Sequence, residues 1–148
     1  MVWYMDWEIK FLDALQGIRT PLGDDVMAFL SDLGNAGIFW IAIGLLLLIP
    51  KKSRMYGVQM IAAMALTFIV GNLILKNVFD RMRPCQVFVD MYNLTVKIPF
   101  DASFPSGHTM NGIAGSVSLL FMDKRVGIPA IILALAIAFS RMYNFMHW

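Results

Sequence analysis

Apolar residues run without a charge from Leu33 to Pro50 and again from Met55 to Leu75. Each run is as long as the roughly 17–25 residues a helix needs to cross the hydrocarbon of a bilayer, and such lengths suit membrane helices better than buried soluble ones. A third apolar stretch extends from about Phe104 to Met122, with His108 near its start. A fourth runs from Val126 to Ser140 and reaches spanning length only if its helix continues past Arg141. Gly71, Gly107, Gly112 and Gly115 fit close helix packing in lipid.

The first 32 residues follow another pattern. Phe11, Leu15, Ile18 and Leu22 recur at helical spacing, with Asp13, Gln16 and Arg19 between them. That predicts an amphipathic helix lying at the membrane interface and broken near Pro21–Gly23. A second helical piece is expected to begin at Asp24 or Asp25, either of which can cap it, and to run into the first span. The alternative is an ordinary solvated helix packed on the bundle. Met1 to Glu8 carries Asp6 and Glu8 and lacks the basic leader and apolar core of a signal peptide. Its Trp3, Tyr4 and Trp7 suit a membrane–water interface.

Composition agrees. Of 148 residues, 59% are hydrophobic and 15% charged, against about 45–50% and 25% in soluble domains. The expected architecture is all-α: a polytopic transmembrane bundle of about four spans behind an interfacial helix. It forms one domain over 1–148, with 1–32 interfacial and 33–148 the helical core. A net charge of +2 gives no case for nucleic acid. The single cysteine, Cys85, excludes an internal disulfide and any Cys-based metal cluster, and reads as a plain loop residue rather than a reactive thiol. No repeat, low-complexity tract or linker interrupts the chain.

The connectors set the topology. Lys51, Lys52 and Arg54 join spans one and two; Asp123, Lys124 and Arg125 join spans three and four. Alternate crossing puts both on one side, and their Lys/Arg content assigns that side to the cytoplasm of a cell membrane. The N-terminal segment, the loop from Lys76 to Ser103 and the tail after Ser140 then share the extracytoplasmic side. The chemistry gathers there. Lys76 ends the second span and Arg83–Pro84 follow; Pro105-Ser106-Gly107-His108 opens the third; Ser140-Arg141 closes the fourth, with His147 beyond. Charged groups at membrane depth are costly, so this gathering marks a functional site.

Lys76, Arg83 and Arg141 would hold a dense anion, Arg through its two-pronged fork. The backbone of Ser106, Gly107 and His108 lies where a helix begins, with free N–H groups and a favourable dipole; Gly107 permits close approach and Ser106 adds a hydroxyl. One histidine can attack phosphorus while the other protonates the leaving oxygen, with the cations stabilising the developing charge. No acidic cluster at metal-ligand spacing accompanies these residues, so neither metal nor cofactor is expected. Taken singly, a Lys or Arg near a span end is a snorkelling anchor and a lone His a structural hydrogen-bonding group; the joint placement is what argues for a site. Arg81 reads as a bland interfacial cation, and Asp80, Asp90 and Asp101 as solvated loop residues. Asn93-Leu-Thr95 matches a glycosylation sequon of the kind that arises by chance.

The three blocks resemble the signature of the type 2 phosphatidic acid phosphatase superfamily, the membrane lipid phosphate phosphatases. Lys76, six residues and Arg83-Pro84 form the first block; Pro105-Ser106-Gly107-His108 the second; Ser140-Arg141, five residues and His147 the third. The ordered triple is specific where each block alone is not, and the chain is most similar to small bacterial members such as undecaprenyl diphosphate phosphatases. The resemblance implies His147 as the nucleophile forming a phosphohistidine and His108 as the general acid. It implies Lys76, Arg83, Ser106, Gly107 and Arg141 as phosphate ligands, and no metal ion. The substrate would be a membrane lipid phosphate: undecaprenyl diphosphate, phosphatidylglycerol phosphate or phosphatidate. The sequence leaves the oligomeric state open.

The family pattern continues to an Asp at the third position after His147 and into a further transmembrane helix, whereas this sequence reaches Trp148. The resemblance therefore implies a chain lacking its C-terminal end, with weak or no activity of its own. Two other functions fit the same residues: a phosphotransferase passing the phosphate to an alcohol, and a non-catalytic binder or transporter of lipid phosphates.

Overall fold

The structure is a computed structural model, and it describes residues 3–88 and 99–148. The sequon at Asn93 and the acid Asp90 lie outside these residues. Helices follow in the order α1 (Asp6–Gly17), α2 (Pro21–Leu33), α3 (Ile38–Leu47) and α4 (Arg54–Thr67). A π-helical segment (Phe68–Leu75), α5 (Lys76–Phe79), α6 (Pro84–Val87), α7 (Gly107–Met122) and α8 (Lys124–Tyr143) complete it.

Helix α1 buries Leu12 and Leu15 against Cys85, Phe145 and Met146. Phe11 and Ile18, on the predicted stripe, are exposed instead. The helix therefore packs on the chain's tail and still turns an apolar edge outward. The next helix, α2, starts earlier than expected. Thr20 is the N-cap, its hydroxyl accepting from Gly23 N at 3.1 Å, and Pro21 occupies the first turn. Proline there gives up an N–H that has no intrahelical partner anyway, so Pro21–Gly23 opens a helix rather than breaking one. Neither Asp24 nor Asp25 is the cap; Asp24 pairs with Arg19 at 2.8 Å.

The run from Leu33 to Pro50 is not one helix. Ala36 (φ 51°) and Gly37 (φ 69°) adopt left-handed backbone, and α2 meets the following helical segment at a 42° bend. Among the described residues, two stretches are long and apolar enough to cross a membrane, Arg54–Val87 and Lys124–Tyr143, with a third if the bent pair is one span. Helix α8 does continue past Arg141, as its length required. Helix α7, at 16 residues, reaches about 24 Å at 1.5 Å per residue, less than the hydrocarbon thickness of about 30 Å.

Trp40, Met60, Met64, Leu119, Ala134 and Ile137 form the core between α3, α4, α7 and α8. Small residues set its tightness. A Cβ on Gly112 would lie 3.0 Å from Ala134 Cβ, and one on Gly57 only 2.8 Å from the carbonyl oxygen of Gly44. Outside the core, Val58, Leu66, Phe68, Leu73, Ile132 and Leu135 are exposed. Such an apolar belt suits lipid rather than water. Asp123 separates α7 from α8 and caps the latter by accepting from Arg125 N at 2.8 Å. Because α7 and α8 are antiparallel neighbours, the first turn of one and the last turn of the other end up side by side.

Candidate active site

That shared end of the bundle holds a cavity of about 720 Å³. Lys76, Arg83, Gly107, His108, Arg141 and His147 all line it, within the size range of ligand pockets. Four separate segments deliver them: the turn α5, the start of α6, the first turn of α7, and the end of α8 with its tail. The other wall is apolar, built by Ile41 from α3 and Ile61, Met64, Ala65 and Phe68 from α4 and the π-helical segment. Ser106 is the exception among the expected ligands. It is the N-cap of α7, where its Oγ accepts from Thr109 N at 3.4 Å, and it opens onto a neighbouring hollow shared with Ser103 and His147. A capping hydroxyl turns toward its own helix. Gly107 does face the cavity: a Cβ there would have Asn72 Oδ1 at 3.8 Å as its neighbour.

The tail places His147. After α8 the chain reverses at Phe145 (φ 59°), and the amide groups of Met146 and His147 both donate to the Arg141 carbonyl. Phe145 and Met146 fill the lower core while the imidazole, 5% exposed, lies beneath Arg83. Arg83 is 3% exposed. Its Nε donates to Asp101 O (2.9 Å), Nη2 to Asp101 Oδ1 (2.8 Å), and Nη1 to Met146 O (2.9 Å) and His147 Nε2 (2.6 Å). A guanidinium has no acceptor, so Nε2 of His147 carries the lone pair and Nδ1 the proton. Burial, and then the cations Arg83 and Arg141, hold this ring well below the ordinary histidine pKa, so it is neutral.

His108 is tied to the bent pair. Its Nε2 donates to Ser31 O (3.1 Å) and lies 3.2 Å from Asn35 Oδ1. A carbonyl only accepts, so Nε2 bears the proton and Nδ1 is the nitrogen left to exchange one with a ligand. Ser31 also receives Arg141, whose Nη1 donates to its Oγ, while Arg141 Nε has no hydrogen-bond partner among the described residues. A buried donor of this kind is what an anion would satisfy.

Two residues set aside at the sequence level are part of this architecture. Asp101 is no free loop acid: its carboxylate pairs with Lys76 and with Arg83. Arg81 is no surface cation. It is 7% exposed, donates to Glu8 at 2.6 Å, and lies over the Trp3 ring at 4.1 Å and the Trp148 ring at 5.1 Å. Ser31, Asn35 and Ser103 carried no sequence signal, since a serine or asparagine inside an apolar segment looks the same with or without a histidine opposite it.

Residues 56–148 match the sequence profile of the PAP2 superfamily. An undecaprenyl-diphosphatase of Sulfolobus acidocaldarius is 35% identical over 124 residues, covering 83% of this chain and 59% of the relative. Undecaprenyl-diphosphatase BcrC of Bacillus subtilis is 29% identical over 147 residues, covering 97% of this chain and 73% of the relative. The crystal structure of a transmembrane PAP2-type phosphatidylglycerolphosphate phosphatase from Bacillus subtilis superposes with a TM-score of 0.72 at 24% identity, over 95% of this chain and 73% of that one. This last likeness is one of fold. The chain thus spans between 59% and 73% of the length of these proteins.

Proposed function

The chain belongs to the PAP2 superfamily, and on that premise we propose that it is a membrane lipid phosphatase that hydrolyses a polyprenyl diphosphate through a phosphohistidine. The observation that carries this reading is the cavity itself, in which two histidines and three cations meet an apolar wall. The phosphoryl group lies against Lys76, Arg83 and Arg141, with the N-terminal amides of α7 adding donors. The substrate's tail follows the wall of Ile41, Ile61, Met64 and Phe68.

His147 Nε2 attacks phosphorus as the bond to the leaving oxygen breaks, and His108, protonated on both nitrogens beside the bound anion, gives that oxygen its Nδ1 proton while Nε2–H stays on the Ser31 carbonyl. Water then attacks the phosphorus of the phosphohistidine, passing a proton to His108 and releasing phosphate and the neutral His147. Charge spread over the phosphoryl oxygens in each transition state is met by the fixed cations, so no metal ion is needed. The site opens on the extracytoplasmic face, opposite the connectors bearing Lys51 and Lys124. Two relatives whose names specify undecaprenyl diphosphate support the substrate class.

The test is phosphate release by the purified full-length protein, including the Asp and helix that the family pattern places after His147, with a chelator present, over undecaprenyl diphosphate, phosphatidylglycerol phosphate and phosphatidate. The diphosphate is expected to turn over fastest. His147→Ala is expected to lower the rate by at least about a thousandfold while phosphate still binds. An unchanged rate in that variant, or a wild-type protein that binds these lipids but turns over none, would refute the proposal. Glycerol added as an acceptor would reveal a transferase by the appearance of glycerol phosphate.

A further inference from the structure

We infer that Asn72 and Asn111 form a second, neutral phosphate subsite beneath the cation cluster, one that holds the leaving phosphate of a lipid diphosphate. The inference rests on the phosphatase reading of the cavity and assigns what lies next to the phosphoryl group under attack. Phe68, Asn72 and Lys76 stand four residues apart and all line the cavity. One face of this segment therefore presents a cation, then an amide, then an aromatic ring. Helix α7 runs down the opposite wall with Gly107, His108 and, nearly one turn further in, Asn111 on the cavity side. Both amides thus lie about one helical turn, roughly 5 Å, below the charged mouth. The apolar wall of Met64 and Phe68 comes next.

An amide inside an apolar wall is costly unless something bonds to it. Asn72 Oδ1 is buried with no hydrogen-bond partner among the described residues. It lies beside the first turn of α7, 3.8 Å from where a Gly107 Cβ would be. The two ends of an amide have the same shape, so half a turn about its last torsion puts Nδ2 in that place. An anion resting against α7 draws the donor there rather than the oxygen. Thr67 prepares the second amide. Its Oγ1 lies 2.8 Å from Met64 O and 3.1 Å from Asn111 Oδ1; when the hydroxyl proton goes to the amide oxygen, Nδ2 is left as that residue's donor to a ligand. In a diphosphate, one bridging oxygen separates the terminal phosphorus from the second phosphate. With the terminal group on Lys76, Arg83 and Arg141 and the tail on the apolar wall, the second phosphate falls level with the amides. Neutral donors suit that level. They stabilise the charge that gathers on the leaving phosphate as the bridging bond breaks, and they hold the product less tightly than Lys or Arg would. A monophosphate lipid leaves only an alcohol there and gains less.

The test is calorimetric binding of inorganic phosphate and of methylenediphosphonate, whose bridge cannot be hydrolysed, to the full-length protein in detergent. Wild type is expected to bind the diphosphonate at least about tenfold more tightly than phosphate. Asn72→Leu and Asn111→Leu are each expected to lose about tenfold for the diphosphonate, the worth of one hydrogen bond to a charged group, and less than about twofold for phosphate. The near-isosteric Asn72→Asp and Asn111→Asp, which put an anion where a donor stood, are expected to lose more, and they decide the matter if a leucine variant does not fold. In turnover, Asn72→Leu is expected to lower kcat/KM about tenfold for farnesyl diphosphate and less than about threefold for farnesyl phosphate, which has the same tail. Equal losses for phosphate and diphosphonate overturn the inference, because the amides would then belong to the cation site. So does diphosphonate binding that is unchanged in the variants, or no tighter than phosphate in wild type. The binding readout needs no turnover, so failure of the phosphatase reading would show separately, as no phosphate release from farnesyl diphosphate by wild type.

Discussion

The carboxylate of Asp101 accepts a 2.8 Å hydrogen bond from Arg83 Nη2, and its other oxygen pairs with Lys76. Two of the three cations of the cavity therefore share one internal anion. The carboxyl is half exposed, 49% on its side chain, so it can swing into solvent without unfolding anything. Burial pushes its pKa up, but the hydrogen bond from Lys76 and the charge of Arg83 outweigh this and hold it below the usual carboxylate range. It is charged at neutral pH, and a phosphate held by Lys76 and Arg83, as proposed, would have to displace it.

Asp101→Asn is thus expected to tighten the binding of inorganic phosphate by about three- to tenfold, in line with the roughly 0.2–1 kcal/mol of each partly exposed ion pair that phosphate no longer has to break. Competitive inhibition of lipid hydrolysis by phosphate measures it. Weaker inhibition in the variant would show that Asp101 helps to form the anion site rather than filling it.

The depressed pKa of His147 makes stability depend on pH in a defined direction. In the folded protein the ring stays neutral well below pH 6.5 because burial, then Arg83 and Arg141, oppose a further charge. In the unfolded chain it takes up a proton near pH 6.5. Below that value the unfolded state binds more protons, so stability falls as the pH drops from about 6.5 toward the folded-state pKa, and is flat above it. Thermal unfolding in detergent between pH 5 and 8 is expected to show this loss in wild type and a shallower one in His147→Gln. Equal slopes in the two proteins would contradict the assignment.

Arg81 joins the N-terminal helix to the tail, pairing with Glu8 while Trp3 and Trp148 cover its guanidinium. Arg81→Met leaves the largely covered Glu8 carboxylate with the Met5 amide as its remaining donor and is expected to cost about 1–3 kcal/mol. Adding Glu8→Gln removes the stranded charge, so the double variant is expected to be more stable than Arg81→Met alone. Unfolding of the four proteins of this cycle gives the coupling. Strictly additive losses would mean that the pair contributes nothing beyond its separate packing.

Some of this was legible in the residue order. Runs without charge at Leu33–Pro50 and Met55–Leu75 announced helices in lipid, because the cost of an unpaired backbone group in hydrocarbon leaves little alternative. The spacing of Lys76 to Arg83 and of Arg141 to His147 marked the blocks that line the cavity. The bend in the first span was not legible, since the hydrophobicity of 33–50 says nothing about the left-handed turn at Ala36 and Gly37. The start of α2 was misplaced because Thr20 and Pro21 outcompeted the two aspartates as a helix opening.

The sequence by itself determined the material of the site: which segments are apolar enough to be helices in a membrane, and which side chains stand at their ends. Those properties are local, set by the chemistry of neighbours within one or two turns. Tertiary structure alone decided what each site group leans on. Arg141 meets Ser31, 110 positions away; His108 meets the same serine across 77; and His147 meets Ser103 across 44. These partners are ordinary polar residues that acquire a role only when packing against α2 and the reversal at Phe145 bring them within hydrogen-bonding distance, and no local pattern encodes a distance between segments so far apart.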